Sequence, residues 1–108
     1  MSKILVINPN STQAVTDHIS LCLQPFRFEG GPQLDCQTLR SGPPGIESQA
    51  HVDSISDKLL RWLDENPSYR DVDAWVLACF SDPGLFAMRE VLPCPVIGCA
   101  EASYHAAS

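Results

Sequence analysis

Basic residues are few and dispersed in this chain. Seven Lys+Arg stand against thirteen Asp+Glu, a net charge of −6, and Arg27, Arg40, Lys58, Arg61, Arg70 and Arg89 form no cluster. Nucleic acid and anionic membrane surfaces are thereby excluded as partners, since both are gripped by neutralising phosphates with Lys and Arg. Long apolar runs are also missing. Nothing approaches the ~18–20 residues of a membrane helix, and the run Ile4–Ile7, stopped by Pro9, is too short for a secretory leader. The five cysteines (Cys22, Cys36, Cys79, Cys94, Cys99) are an odd set with no C-x-x-C. That spacing predicts no metal site and points to reduced thiols in a cytoplasmic protein. Neither G-x-G-x-x-G nor a P-loop occurs, so dinucleotide and nucleotide-phosphate readings have no motif. A phospho-receiver needs several acidic strand ends and a lysine, whereas the strands here end in Asn8 and Cys79.

What is present is a regular alternation. With 108 residues, 44% hydrophobic and 19% charged, the chain predicts one folded domain, 1–108. Ile4-Leu5-Val6-Ile7 reads as a strand buried on both faces of a parallel sheet. Asn10 or Ser11 then caps a helix to about Leu23. Leu34–Leu39 alternates weakly, as an edge strand does. After the loop Ser41-Gly42-Pro43-Pro44-Gly45, a helix over Ile46–Glu65 places Val52, Ile55, Leu59 and Leu63 on one face, with Asp57 and Arg61 paired at i,i+4 on the other. Ala74–Ala78 is a third strand. Pro83 suits the first turn of a short helix to about Val91, capped by Ser81 or Asp82. Val96–Gly98 is a fourth strand, and a last helix starts at Ala100 and runs to Ser108. The order β-α-β-α-β-α-β-α predicts an α/β doubly wound three-layer sandwich with a mainly parallel four-stranded sheet in the order 2-1-3-4.

Ligands of such sheets collect at the carboxyl ends of the strands. The loops Asn8–Thr12, Gly42–Ile46 and Cys79–Gly84 meet there, and their small, hydrogen-bonding residues suit a small polar ligand. Cys79 is the most informative residue, because it closes a buried strand directly before an expected helix start, where backbone N–H groups favour a thiolate. The competing reading of Cys79 is a small buried hydrophobe. Cys22 and Cys36 read as packing residues. His18, His51 and His105 fall in helical patterns, so none offers itself as a base partner, and Glu47 and Glu101 open helices where carboxylates suit the dipole.

Taken together, Ile-Leu-Val-Ile-Asn-Pro-Asn-Ser-Thr (4–12), Gly-Pro-Pro-Gly-Ile-Glu-Ser (42–48), Ala-Cys-Phe-Ser-Asp-Pro-Gly-Leu (78–85), Arg89-Glu90 and Pro-Val-Ile-Gly-Cys-Ala-Glu-Ala (95–102) resemble the hydantoin/allantoin racemase branch of the aspartate/glutamate racemase superfamily. The resemblance implies cofactor-independent racemisation of small hydantoin-like rings. One thiolate removes the proton α to a carbonyl, and a second thiol on the opposite face returns one. By resemblance Cys79 is the first of these thiols, and Asn10, Ile46, Phe80 and Ser81 line the substrate pocket. Family members carry two similar halves of which this chain matches the first, so the second cysteine is expected outside it. A homo-oligomer, or the missing second half, is expected to complete the site. The alternative is a non-catalytic α/β domain that acts as a binding or interaction module.

Overall fold

The computed structural model describes residues 2–107; Met1 and the expected last residue of the final helix, Ser108, lie outside them. The elements are β1 (Lys3–Asn8), α1 (Gln13–Cys22), β2 (Gln33–Thr38), α2 (Gln49–Glu65), β3 (Ala74–Leu77), α3 (Leu85–Val91), β4 (Val96–Gly98) and α4 (Cys99–Ala107), with single 3-10 turns at Gln24–Phe26 and Pro67–Arg70. The sheet is parallel throughout in the order β2-β1-β3-β4, as the alternation predicts. Register pairs Val6 with both Cys36 and Val76, and Leu77 with Gly98.

Period-two alternation sorts the strand residues onto two unlike faces. Leu5, Ile7, Trp75 and Leu77 are fully buried on one face, against Ile55, Leu59 and Leu63 of α2 and Met88 of α3. Each such side chain contributes about 1.5–3 kcal/mol by leaving water. The Trp75 indole N–H donates to the Tyr69 carbonyl at 2.8 Å, and Trp62 meets Trp75 edge-on at 5.8 Å, which closes this core below α2. Tyr69 in turn donates to Asp35 at 2.6 Å; burial first, and that carboxylate second, push its phenol up to about 12.

The opposite face carries Ile4, Val6, Leu34, Val76 and Ala78 beneath α1, and it is covered only in part. Ile4 and Val76 are half-buried, and Ile97, in register with Val76, stays 43% exposed. The expectation that β1 is buried on both faces holds for Val6 as it does for Leu5 and Ile7, and only Ile4, near the start of the strand, is less covered.

All four helix starts differ from expectation, α4 only by the one residue from Ala100 to Cys99. Helix α1 begins at Gln13 after Thr12, whose hydroxyl is donated to the Pro44 carbonyl at 2.7 Å instead of capping. Asn10 accepts the Thr12 N–H at 3.0 Å, one residue before the helix, so neither Asn10 nor Ser11 is the cap. Helix α2 begins at Gln49, with the Ser48 hydroxyl accepting from His51 N–H, which leaves Ile46 and Glu47 in the loop. The third, α3, begins only at Leu85, after left-handed Asp82 (φ 47°) and Gly84 (φ 80°). Two such residues cannot belong to a right-handed helix, so Pro83 sits in the turn that precedes it.

Candidate active site

All four strands point the same way, so the loops that leave their carboxyl ends meet at one edge. The chain reverses its direction of winding at β1, and the crevice between the loops after β1 and β3 lies at this switch. Buried Asn8, the last residue of β1, organises it. Its side-chain N–H groups donate to Asn10 Oδ1 at 2.8 Å and to Thr16 Oγ1 at 3.1 Å. Thr16 Oγ1 lies 2.6 Å from Thr38 Oγ1, whose own proton goes to Gln13 Oε1 at 2.8 Å, so Thr16 is the donor to Thr38. This line of donors ties β1, β2 and α1 together, and no buried side-chain nitrogen or oxygen among the described residues lacks a partner.

The Gly42–Ile46 loop is stitched onto the Asn8–Thr12 loop. Ser11 N–H donates to the Pro43 carbonyl at 2.9 Å, beside the Thr12–Pro44 bond. A side chain at Gly42 would collide with the Pro9 carbonyl, so the close approach requires glycine there. The outcome is a cleft of about 330 Å³ lined by Asn8, Pro9, Asn10, Val15, Ile19, Ile46, Ala78, Cys79 and Phe80. Four of the five residues expected at the site, Asn10, Ile46, Cys79 and Phe80, thus share one cleft. Ser81 stands just outside it, exposed, with its Oγ 3.4 Å from the Cys79 sulfur. Phe80 is 83% exposed, a large apolar ring presented to solvent at the rim.

The expected helix start directly after Cys79 is absent, since α3 opens six residues later. Instead the Cys79 carbonyl accepts the Asp82 N–H at 3.1 Å, closing a turn. From that turn the Asp82 carboxylate reaches across to α4, where its two oxygens accept the N–H groups of Ala100 and Glu101, each at 2.9 Å. Asp82 is a helix cap, as expected of its residue type, but of α4 and not of α3. Gly98 makes room for it: a Cβ there would fall 2.5 Å from Asp82 Oδ2. Arg89 adds a second tie, with Nη2 2.5 Å from Glu101 Oε1 and also 2.9 Å from the Val96 carbonyl. The Asp-Pro-Gly triplet announces a turn; the partner of its carboxylate, 18 residues on, has no local signal.

Cys99, the first residue of α4, lines the larger apolar cavity of about 580 Å³ that continues from Cys79 along the α1 face. Burial first, and the Asp82 charge second, raise its thiol above the ordinary range. The other cysteines stand apart. Cys94 is half-buried against the core, and burial raises its thiol too. Cys36 receives Arg27 Nη2 at 3.6 Å. Cys22, expected to pack, is exposed at the end of α1 with His18 Nε2 3.6 Å from its sulfur; it lies on the outer side of a helix that covers the sheet only partly. His51 Nδ1 accepts the Glu47 N–H at 3.1 Å and does not line the cleft. Among the described residues no group of three or more His, Cys, Asp or Glu could hold a metal ion, and no helix is long and apolar enough to cross a membrane.

This fold and loop arrangement recur in known proteins. A hydantoin racemase of Paenarthrobacter aurescens is 35% identical over 106 residues, covering 98% of this chain and 44% of its own length. One from a Pseudomonas species is 36% identical over 110 residues, with 98% and 42% covered. The solved allantoin racemase of Klebsiella pneumoniae superposes with a TM-score of 0.86 at 34% identity, over 99% of this chain and 43% of that one. The chain thus spans less than half the length of these relatives. Residues 4–108 match the family described as Asp/Glu/Hydantoin racemase, and with that match running through every strand and loop described above, the chain belongs to this family.

Proposed function

We propose that this chain is the first half of a racemase of small hydantoin-like rings, hydantoins or allantoin, with Cys79 as one of two bases. The observation that carries the reading is the convergence of Cys79 with Asn10, Ile46 and Phe80 in one cleft at the switch point of a racemase-family fold. In this reaction the Cys79 thiolate takes the proton from the ring carbon α to a carbonyl. The developing enolate-like charge is met by loop N–H groups, an electrostatic contribution of the kind that usually dominates such catalysis. A second thiol delivers a proton to the other face. It comes from the part of the relatives' length that this chain does not span, or from a second copy of the chain.

Ser81, beside the Cys79 sulfur, and Asn10, held by Asn8, position the ring. No cofactor takes part in this scheme. Asp82, Gly98 and Arg89 act at a distance by fixing the Cys79 turn to the start of α4. The alternative, a non-catalytic binding or interaction module, draws its support from the open apolar cavity beside Cys79, which suits a covering partner.

Deuterium exchange at the ring carbon of single enantiomers of 5-substituted hydantoins and of allantoin, read by NMR, separates the two readings. Exchange above the uncatalysed background that disappears in Cys79→Ala supports the base, and net racemisation is expected to be small without a second thiol. Exchange unchanged in Cys79→Ala, or absent at high protein concentration, rejects it in favour of the module. Light scattering that shows a stable monomer at micromolar concentration would remove the second copy as the source of that thiol.

A further inference from the structure

Two thiols line the apolar cavity on the α1 face, Cys79 after β3 and Cys99 after β4. These strands are neighbours, with Leu77 paired to Gly98. Cys99 follows that last pair by one residue and Cys79 by two, so both thiols leave neighbouring strand ends into one cavity. Strict alternation would send the Cys79 side chain to the other face. The tight turn in which Cys79 N–H donates to the Leu77 carbonyl at 3.0 Å brings it round to the cavity. The two cysteines lie close enough to act on one another electrostatically. Asp82 holds this geometry, because one residue carries the turn after Cys79 and caps the helix that Cys99 begins.

We propose that Cys79 and Cys99 form a modification site, a dithiol that hydrogen peroxide closes into an intrachain disulfide with Cys99 as the resolving thiol. Cys79 lines both the cleft and the apolar cavity whereas Cys99 lines the cavity alone, so peroxide entering by the cleft meets Cys79 first, and the buried Cys99 thiol, raised above the ordinary range, is the slower attacker. The Cys79 thiolate forms an S–O bond as the O–O bond breaks, and hydroxide leaves to be protonated to water. The Cys99 sulfur, giving up its proton, then attacks the Cys79 sulfenic acid; an S–S bond forms, the S–O bond breaks, and a second water departs. Two thiols supply the two electrons that one peroxide accepts. A thiol reductant reverses the closure. The consequence for catalysis rests on the proposed function: a disulfide-bound Cys79 cannot take a proton, so oxidation would silence the base reversibly and guard it from irreversible oxidation.

The test is read by mass and not by activity. The purified 108-residue chain is treated with a modest excess of peroxide at neutral pH, alkylated, and digested with trypsin without reduction. The expected product is the peptide 71–89 joined to 90–108 with loss of two hydrogens, restored by dithiothreitol. Cys94→Ser, which alters the other thiol of the second peptide, and Cys22→Ser should both retain the link. Cys99→Ser should lose it and accumulate Cys79 sulfinic and sulfonic acids. Cys79 over-oxidised to the same extent in the native chain and in Cys99→Ser overturns the proposal, and so does a link that passes through Cys94 or Cys22.

Discussion

The two faces of the one sheet differ in what they were built to do. Toward α2 and α3 the strands present Leu5, Ile7, Trp75 and Leu77 to a dry core in which Ile55, Leu59, Leu63 and Met88 are all fully buried. Toward α1 the same strands present Ile4, Val6, Val76 and Ala78 to an open cavity that ends at Cys79 and Cys99. The side chains are equally apolar on both faces. The difference lies in the covering layer, and it separates stability from reactivity: Cys79 and Cys99 lie where the covering is incomplete.

The largest effect that tests this contrast is a truncation on each face. Leu59→Ala should cost about 2–5 kcal/mol, the range for a core leucine, and Ile97→Ala, 43% exposed on the open face, less than about 1 kcal/mol. Urea unfolding of both variants reads the difference, and comparable losses would erase the distinction between the faces. Next comes the clamp between them and the thiols. Asp82→Ala removes a helix cap and should cost about 1–2 kcal/mol. Asp82→Asn, which keeps an oxygen acceptor, should cost less, and equal losses would mean that capping is not what Asp82 supplies.

A pH measurement sharpens the contrast at the thiols themselves. Burial is the main cause that raises Cys94 and Cys99, and a raised thiol forms its reactive thiolate later as pH increases. At about pH 8.5, where an ordinary thiol is half ionised, both should label with iodoacetamide more slowly than exposed Cys22, and the gap should narrow at higher pH. Labelling of all three at one rate in the folded chain would contradict the burial. The smallest effect belongs to the wet side of α2. Arg61 and Asp57 form their expected pair at 3.0 Å, but both are well exposed, so Arg61→Ala should shift stability by no more than about 0.5 kcal/mol.

Much of this protein can be read from its sequence because the signals are local. Apolar runs of strand length, helical periodicity from Val52 to Leu63, and Pro/Gly punctuation between them set the order of elements. The right-handed crossover then leaves 2-1-3-4 as the natural arrangement. The loops at the carboxyl edge, and Cys79 at a strand end among them, follow from that order, whereas Asn10, Ile46, Phe80 and Ser81 are singled out by the family resemblance. Tertiary structure decided what depends on partners distant along the chain. The helix to which Asp82 belongs was settled by a left-handed turn that aims its carboxylate at Ala100 and Glu101. How far the α1 face of the sheet is covered was settled by the layer packed on it, since half-buried Val76 and buried Val6 are alike in chemistry. The nearness of Cys99 to Cys79 was settled by strand register and a tight turn. Patterns within a few residues dictate backbone conformation, whereas contacts across 18 or 20 residues exist only once the sheet has brought their ends together.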